Sequence, residues 1–163
     1  PTTPRLNRID INQPVEDAIS FGATTIRKGA VRLEVSLTRG LPPCNADSQL
    51  LQHVILNLIT NAVEAMKSAS EQKVLVITTA VEDGQVLIKV SDSGPGIPEE
   101  MRSRVFDPFF STTSDGLGIG LCLSSRIIKD HGGTIDVSES RWGGCEFRIA
   151  LPLAGVMTGH DAT

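Results

Sequence analysis

The chain has 163 residues, enough for one domain with a continuous core, and its mix of 40% apolar and 21% charged residues is that of an ordinary folded protein. A formal net charge of −4 and the lack of a Lys/Arg cluster argue against a nucleic-acid surface. No apolar run is long enough to span a bilayer and no signal peptide is visible, so the expectation is a cytoplasmic chain without membrane contact of its own, with membrane anchoring of the full-length protein left open. Cys44, Cys122 and Cys145 are odd in number and far apart, without CxxC spacing. They fit reduced, buried thiols and not a disulfide frame or a zinc site.

In chain order, Ile9-Asp10-Ile11 is a candidate short strand. Asn12 then offers a helix cap, Pro14 suits a first turn, and Val15, Ala18, Ile19 and Ile26 form a helical stripe that Gly29 ends. Leu33, Val35 and Leu37 alternate with polar residues, the pattern of a half-exposed strand. Gly40 to Pro43 is a connection. Asp47 or Ser48 can cap the next helix, which runs to about Met66 with Leu51, Ile55, Leu58, Ile59, Ala62 and Ala65 on its apolar face. Asn57 and Asn61 fall together at the border of that face. Two amides at i, i+4 have two readings: local hydrogen bonding, or neutral oxygen ligands for a Mg²⁺ ion shared with phosphates. His53 and Glu64 lie further round and are expected at the surface.

Lys73–Val81 and Gln85–Asp92 are apolar strands joined through Glu82-Asp83-Gly84, a strong hairpin signal. Period two puts Asp92 on the same face as Val86, Ile88 and Val90. An inward carboxylate needs donors. It is either the cap of its own turn or an acceptor for the exocyclic amine of adenine, with the glycines of Ser93-Gly94-Pro95-Gly96 letting a flat ring lie against backbone. Ile97-Pro98-Glu99-Glu100 suggests a helix start with Pro98 at its first position. Phe106-Asp107-Pro108-Phe109-Phe110 gathers three of the five Phe residues in one irregular segment, either a lid or a satellite core. Arg102 and Arg104 are the nearest cations for a phosphate; a surface role is the other reading. Gly116-Leu117-Gly118-Ile119-Gly120-Leu121 feeds a helix, and such a run is either a phosphate-binding N-terminus or a tight loop. The run matches neither a P-loop nor a dinucleotide fingerprint. The helix reaches His131, which is read as a C-terminal residue favoured by the dipole, and Gly132-Gly133 stops it. Thr134–Ser138 and Cys145–Leu151 are two last strands about a Trp142-Gly143-Gly144 turn. Three helices and an antiparallel-rich sheet imply an α/β fold of two layers, with the helices over one sheet face.

The four motifs, in this order and spacing, resemble the ATP-binding catalytic domain of bacterial sensor histidine kinases, in the superfamily shared with gyrase, MutL-type repair proteins and the ninety-kilodalton heat-shock chaperone. Asn57-Leu58-Ile59-Thr60-Asn61-Ala62 is similar to the N box, Asp92 to Gly96 to the first glycine box, Phe106 to Phe110 to the F box, and Gly116 to Leu121 to the second glycine box. Asn61 to Met66 and Phe109 to Thr112 resemble the nitrogen-regulation and oxygen-sensing branch. The resemblance implies a two-layer Bergerat sandwich over 1–153, with a mobile lid over about 96–118 and a tail or linker over 154–163. It implies ATP and Mg²⁺ as ligands, Asn61 on the metal, Asn57 supporting phosphates and metal, and Asp92, Gly94, Gly96 and Ile97 around adenine. Phe110, Thr112, Gly116, Leu117, Gly118, Gly120 and Leu121 would complete the nucleotide site.

The chain departs from the family in three places. Thr113 follows Thr112 where a Lys is frequent, so a lid cation is missing and Arg102 or Arg104 is the candidate replacement. Cys145 stands where a Thr near the adenine is frequent. The hairpin carrying the phosphoacceptor His is absent, and His53, His131 and His160 are wrongly placed to substitute. The resemblance therefore implies a kinase half that transfers the γ-phosphoryl group to a His on a separate dimerisation domain, which passes it to a response-regulator receiver. The full-length protein would be a homodimer and the chain alone a monomer unable to label itself. A nucleotide-binding regulatory module without kinase activity is the alternative. A gyrase-like ATPase is disfavoured, because Asn57 stands where those sites carry a Glu general base.

Overall fold

The computed structural model describes residues 3–69, 72–108, 110 and 119–155. Five strands form the main sheet in the order β2-β4-β5-β7-β6. These are β2 (Arg32–Ser36), β4 (Val74–Glu82), β5 (Gln85–Asp92), β6 (Thr134–Glu139) and β7 (Cys145–Pro152). Only β2 and β4 run parallel; the other neighbours are antiparallel. Helices α1 (Asn12–Lys28), α2 (Ser48–Ala65) and α3 (Ile119–Asp130) accompany the sheet, and α2 packs against both α1 and α3. This is the expected mixed, largely antiparallel sheet with three helices.

Period two accounts for the sheet's buried face. Val86, Ile88, Val90 and Asp92 of β5 are all buried, as are Cys145, Phe147, Ile149 and Leu151 of β7. The β4–β5 hairpin closes through Asp83 and Gly84, both at positive φ (52° and 75°), which is the requirement of a type I′ turn. Helix α2 contributes Leu51, Val54, Ile55, Leu58 and Ile59, none exposed, and so forms the centre of the core. Gly22 lets α1 approach it closely, since a Cβ there would lie 3.2 Å from Ile59 Cγ2. Gly29 caps α1 with an ordinary φ of −77°, where a Cβ would lie 2.8 Å from Val63 Cγ1, and the turn away from the helix is made by Ala30 at φ 55°.

Five local expectations are corrected. The first strand, β1, is Asn7–Ile9 and pairs antiparallel with β3 (Cys44–Ala46), a strand too short to show a period beside Pro42-Pro43. Asn12 does not cap α1. Its Nδ2 donates to the Thr38 carbonyl (2.8 Å) and its Oδ1 accepts from Thr79 Oγ1 (2.8 Å), tying the helix start to the sheet. Residues Glu99–Arg104 form a 3₁₀ turn that Pro98 precedes, because a run of six residues with no buried side chain has no packing to hold an α-helix. Cys44 and Cys145 are buried but Cys122 is only half-buried.

The fifth correction concerns His131, which stands at the end of α3 as expected but is buried, with its ring held by hydrogen bonds. Its Nδ1 donates to the Ile127 carbonyl (2.7 Å), and its Nε2 accepts from the Asp47 backbone N–H (3.0 Å). One nitrogen facing an acceptor and the other a donor define the neutral Nδ1–H tautomer. Asp47 is the N-cap of α2, its Oδ1 accepting from Leu50 N (3.1 Å). His131 thus joins the end of α3 to the start of α2. Burial pushes the Asp47 carboxyl up, but the backbone N–H groups of Arg5, Leu50 and Gln49 hold it below its ordinary value.

Candidate nucleotide site

The central residue is Asp92, at the end of β5 and only 3% exposed. Two backbone N–H groups, of Gly94 (2.9 Å) and Cys145 (3.1 Å), donate to its Oδ1. Among the described residues no donor reaches Oδ2, which is left for an incoming group. Burial raises the Asp92 carboxyl above its ordinary 3.8, and these two hydrogen bonds oppose the rise without cancelling it. The Cys145 thiol is pushed up to about 12, first by burial and then by the Asp92 charge, against the pull of Arg102, so it is neutral and unreactive at ordinary pH.

The glycines around Asp92 are sterically required. A Cβ on Gly94 would lie 3.1 Å from Asp92 Oδ1 and 3.4 Å from the Ala65 carbonyl at the end of α2. Gly96, at φ 77°, would place one 2.8 Å from the Gly143 carbonyl. A Cβ on Gly144 would overlap both the carbonyl and the carboxylate of Asp92. The first glycine box is therefore pressed between the end of α2 and the β6–β7 turn. Ser93 bolts it down: its Oγ accepts from Val74 N (2.8 Å) and donates to the Gln72 carbonyl (3.2 Å).

Helix α2 presents Asn57 and Asn61, both half-buried. Asn57 Nδ2 donates to Ser124 Oγ on α3 (3.2 Å), and a Cβ on Gly120 would lie 2.6 Å from Asn57 Oδ1. The N box and the first turn of α3 are thus in direct contact, and any side chain at 120 would push the Asn57 amide aside. Ser124, only 1% exposed, is a site residue that the sequence did not single out; a serine in the Ser124-Ser125 pair of an amphipathic helix carries no distinguishing signal. Asn61 makes no side-chain hydrogen bond with another described residue, so its amide is free to ligate, which fits a neutral oxygen for a hard cation. Leu121 and Ile97 are half-buried against the core.

Arg102 Nε donates to the Ile97 carbonyl (3.2 Å), and its charge reaches Cys145. Arg104 lies over the Phe110 ring at 5.9 Å. Both candidate phosphate cations thus have local partners. Phe106 packs edge-to-face on Phe147 (6.2 Å), so the F box begins as part of the core. Phe109, Thr112, Gly116, Leu117, Gly118 and His160 lie outside the described residues. His53 is exposed on α2.

The family model for the "Histidine kinase-, DNA gyrase B-, and HSP90-like ATPase" matches residues 46–155, most of the chain. The chain belongs to this ATPase family. It is similar to the sensor protein FixL of Bradyrhizobium diazoefficiens, 34% identical over 88% of the chain and 28% of that protein. The catalytic domain of histidine kinase ThkA superposes with a TM-score of 0.81 at 30% identity, covering 91% of this chain and 96% of that domain. ThkA in complex with the response regulator TrrA matches with a TM-score of 0.79 at 27% identity, over 93% of this chain and 42% of that one. The chain thus matches the ATP-binding catalytic domain of a histidine kinase over nearly all of that domain's length, while it spans just over a quarter of FixL. Among the described residues no helix is long and apolar enough to cross a membrane.

Proposed function

We propose that this chain binds Mg-ATP and presents its γ-phosphoryl group to a histidine on a separate dimerisation domain, which then serves the receiver domain of a response regulator. The observation that carries the reading is Asp92: a buried carboxylate with one oxygen fixed by backbone donors and the other facing no protein donor among the described residues. Oδ2 would accept the adenine amine while Gly94, Gly96 and Ile97 offer backbone and an apolar edge to the ring. Asn57 and the α3 N-terminus at Gly120 would face the phosphates, an arrangement suited to anions. Asn61 would hold Mg²⁺. When bound, that ion neutralises phosphate charge, which is most of what phosphoryl transfer asks of a site.

A catalytic domain through Leu153 with a lid over about 96–118 and a tail from Ala154 is part of the proposal. So are a cytoplasmic location, a homodimeric whole protein and a monomeric chain. The complex of ThkA with TrrA supports the choice of a response regulator as partner. The acceptor belongs, on this reading, to another domain: of the described histidines, His131 has both ring nitrogens engaged and His53 belongs to the N-box helix itself. Incubation with γ-labelled ATP tests this. The chain alone should take up negligible label, and adding the dimerisation domain should give acid-labile, alkali-stable phosphohistidine on that domain. Label on the chain itself would overturn the division of labour. Nucleotide binding with no transfer to the added domain would favour a regulatory module.

A further inference from the structure

Beyond Asp92 itself, the β6–β7 turn contains a buried side chain that bonds both to this residue and to the turn beside it. Ser140 is only 5% exposed. Its hydroxyl donates to the Asp92 carbonyl (2.6 Å) and accepts from the N–H groups of Gly144 (3.0 Å) and Trp142 (3.3 Å). The Ser140 N–H in turn donates to the Gly144 carbonyl (2.8 Å). The β5–β7 ladder ends at Ser91 opposite Glu146, so Asp92, still paired with Leu75 of β4 on its other edge, lies just beyond the pairing with β7. Ser140 fills that gap.

The same hydroxyl acts on the Asp92 side chain by a second route. Gly144 immediately precedes Cys145, whose N–H fixes Asp92 Oδ1 (3.1 Å). One oxygen atom therefore clamps both the backbone of Asp92 and the segment that sets its carboxylate rotamer. We infer that Ser140 is a positioning residue for base recognition: it holds Asp92 Oδ2 at the angle required to accept the 6-amino group of adenine. The inference rests on the assignment of Asp92 to adenine. A hydroxyl that only stabilised the turn would leave base preference unchanged when removed, because both nucleotides would lose affinity alike.

The test compares dissociation constants for ADP and for purine riboside 5′-diphosphate, which lacks the 6-amino group. Wild type should favour ADP by roughly ten- to a hundredfold, the range of one charge-assisted hydrogen bond. Ser140→Ala should cut that preference by about fivefold or more, chiefly through weaker ADP binding. Ser140→Cys keeps the shape with a slightly larger atom and replaces the strong donor by a weak one; it should cut the preference likewise, and it serves if the alanine variant does not fold. An unchanged preference in a folded variant, whatever the change in overall affinity, overturns the positioning role. A wild type without preference, together with Asp92→Ala binding ADP normally, overturns the adenine assignment and the inference with it.

Discussion

Asp92→Asn separates what the residue does for the fold from what it does for a ligand. The amide oxygen would take the place of Oδ1, since the N–H groups of Gly94 and Cys145 both point there (2.9 and 3.1 Å) and would repel an NH₂ group. The amide nitrogen is then forced into the Oδ2 position and faces the adenine amine donor to donor. Losing a charge-assisted hydrogen bond and leaving an amine unpaired costs about 2–3 kcal/mol, or roughly thirty- to a hundred-and-fiftyfold in ADP affinity. Stability moves the other way. An acid whose pKa is raised by folding subtracts stability at every pH above the raised value, and the deficit closes as pH falls through that value towards the unfolded one. The pKa of Asp92 is raised from 3.8, mainly by burial, so at neutral pH the Asn variant should unfold at higher denaturant than wild type. That advantage should disappear in acid. Wild-type ADP affinity should also weaken as pH falls through the raised value. Urea melts at two pH values and calorimetric titration give all these readouts; an Asn variant that is less stable at neutral pH and binds ADP as wild type does would refute the reasoning.

Three other outcomes follow from the packing. His131→Leu removes the acceptor of the Asp47 N–H and the donor to the Ile127 carbonyl, and should lower stability by roughly 2–3 kcal/mol in a urea titration. Gly120→Ala forces the Asn57 amide and the first turn of α3 apart, so nucleotide affinity should fall by an amount equivalent to about 1–2 kcal/mol while β-sheet circular dichroism is unchanged. In the native chain iodoacetamide should modify Cys122 first, because the thiols of Cys145 and Cys44 are buried and pushed up to about 12 and 11; alkylation of Cys145 ahead of Cys122 would contradict this.

Long periodic segments were legible in advance. The α2 stripe, the Asp83-Gly84 hairpin and the inward Asp92 all follow from spacing, because period and turn chemistry are local properties. The features that hold Asp92 were not. Ser140 and Gly144 lie about fifty residues away in sequence, and nothing in Ser-Arg-Trp-Gly-Gly indicates that its first residue reaches the end of another strand. His131 was misread for the same reason: its position at a helix end suggested a charge–dipole role, whereas the partner that defines its tautomer, the Asp47 N–H, belongs to a different helix. Strand β3 failed on length, three residues being too few for a period.

The most direct test of the account is calorimetric titration of ADP and a non-hydrolysable ATP analogue, with and without Mg²⁺, on wild type and Asn61→Ala. Wild type should bind both nucleotides and bind the triphosphate more tightly with Mg²⁺, and Asn61→Ala should lose that Mg²⁺ gain while still binding ADP. A folded wild-type chain that binds neither nucleotide, or an Asn61→Ala chain with the full Mg²⁺ gain, would contradict it.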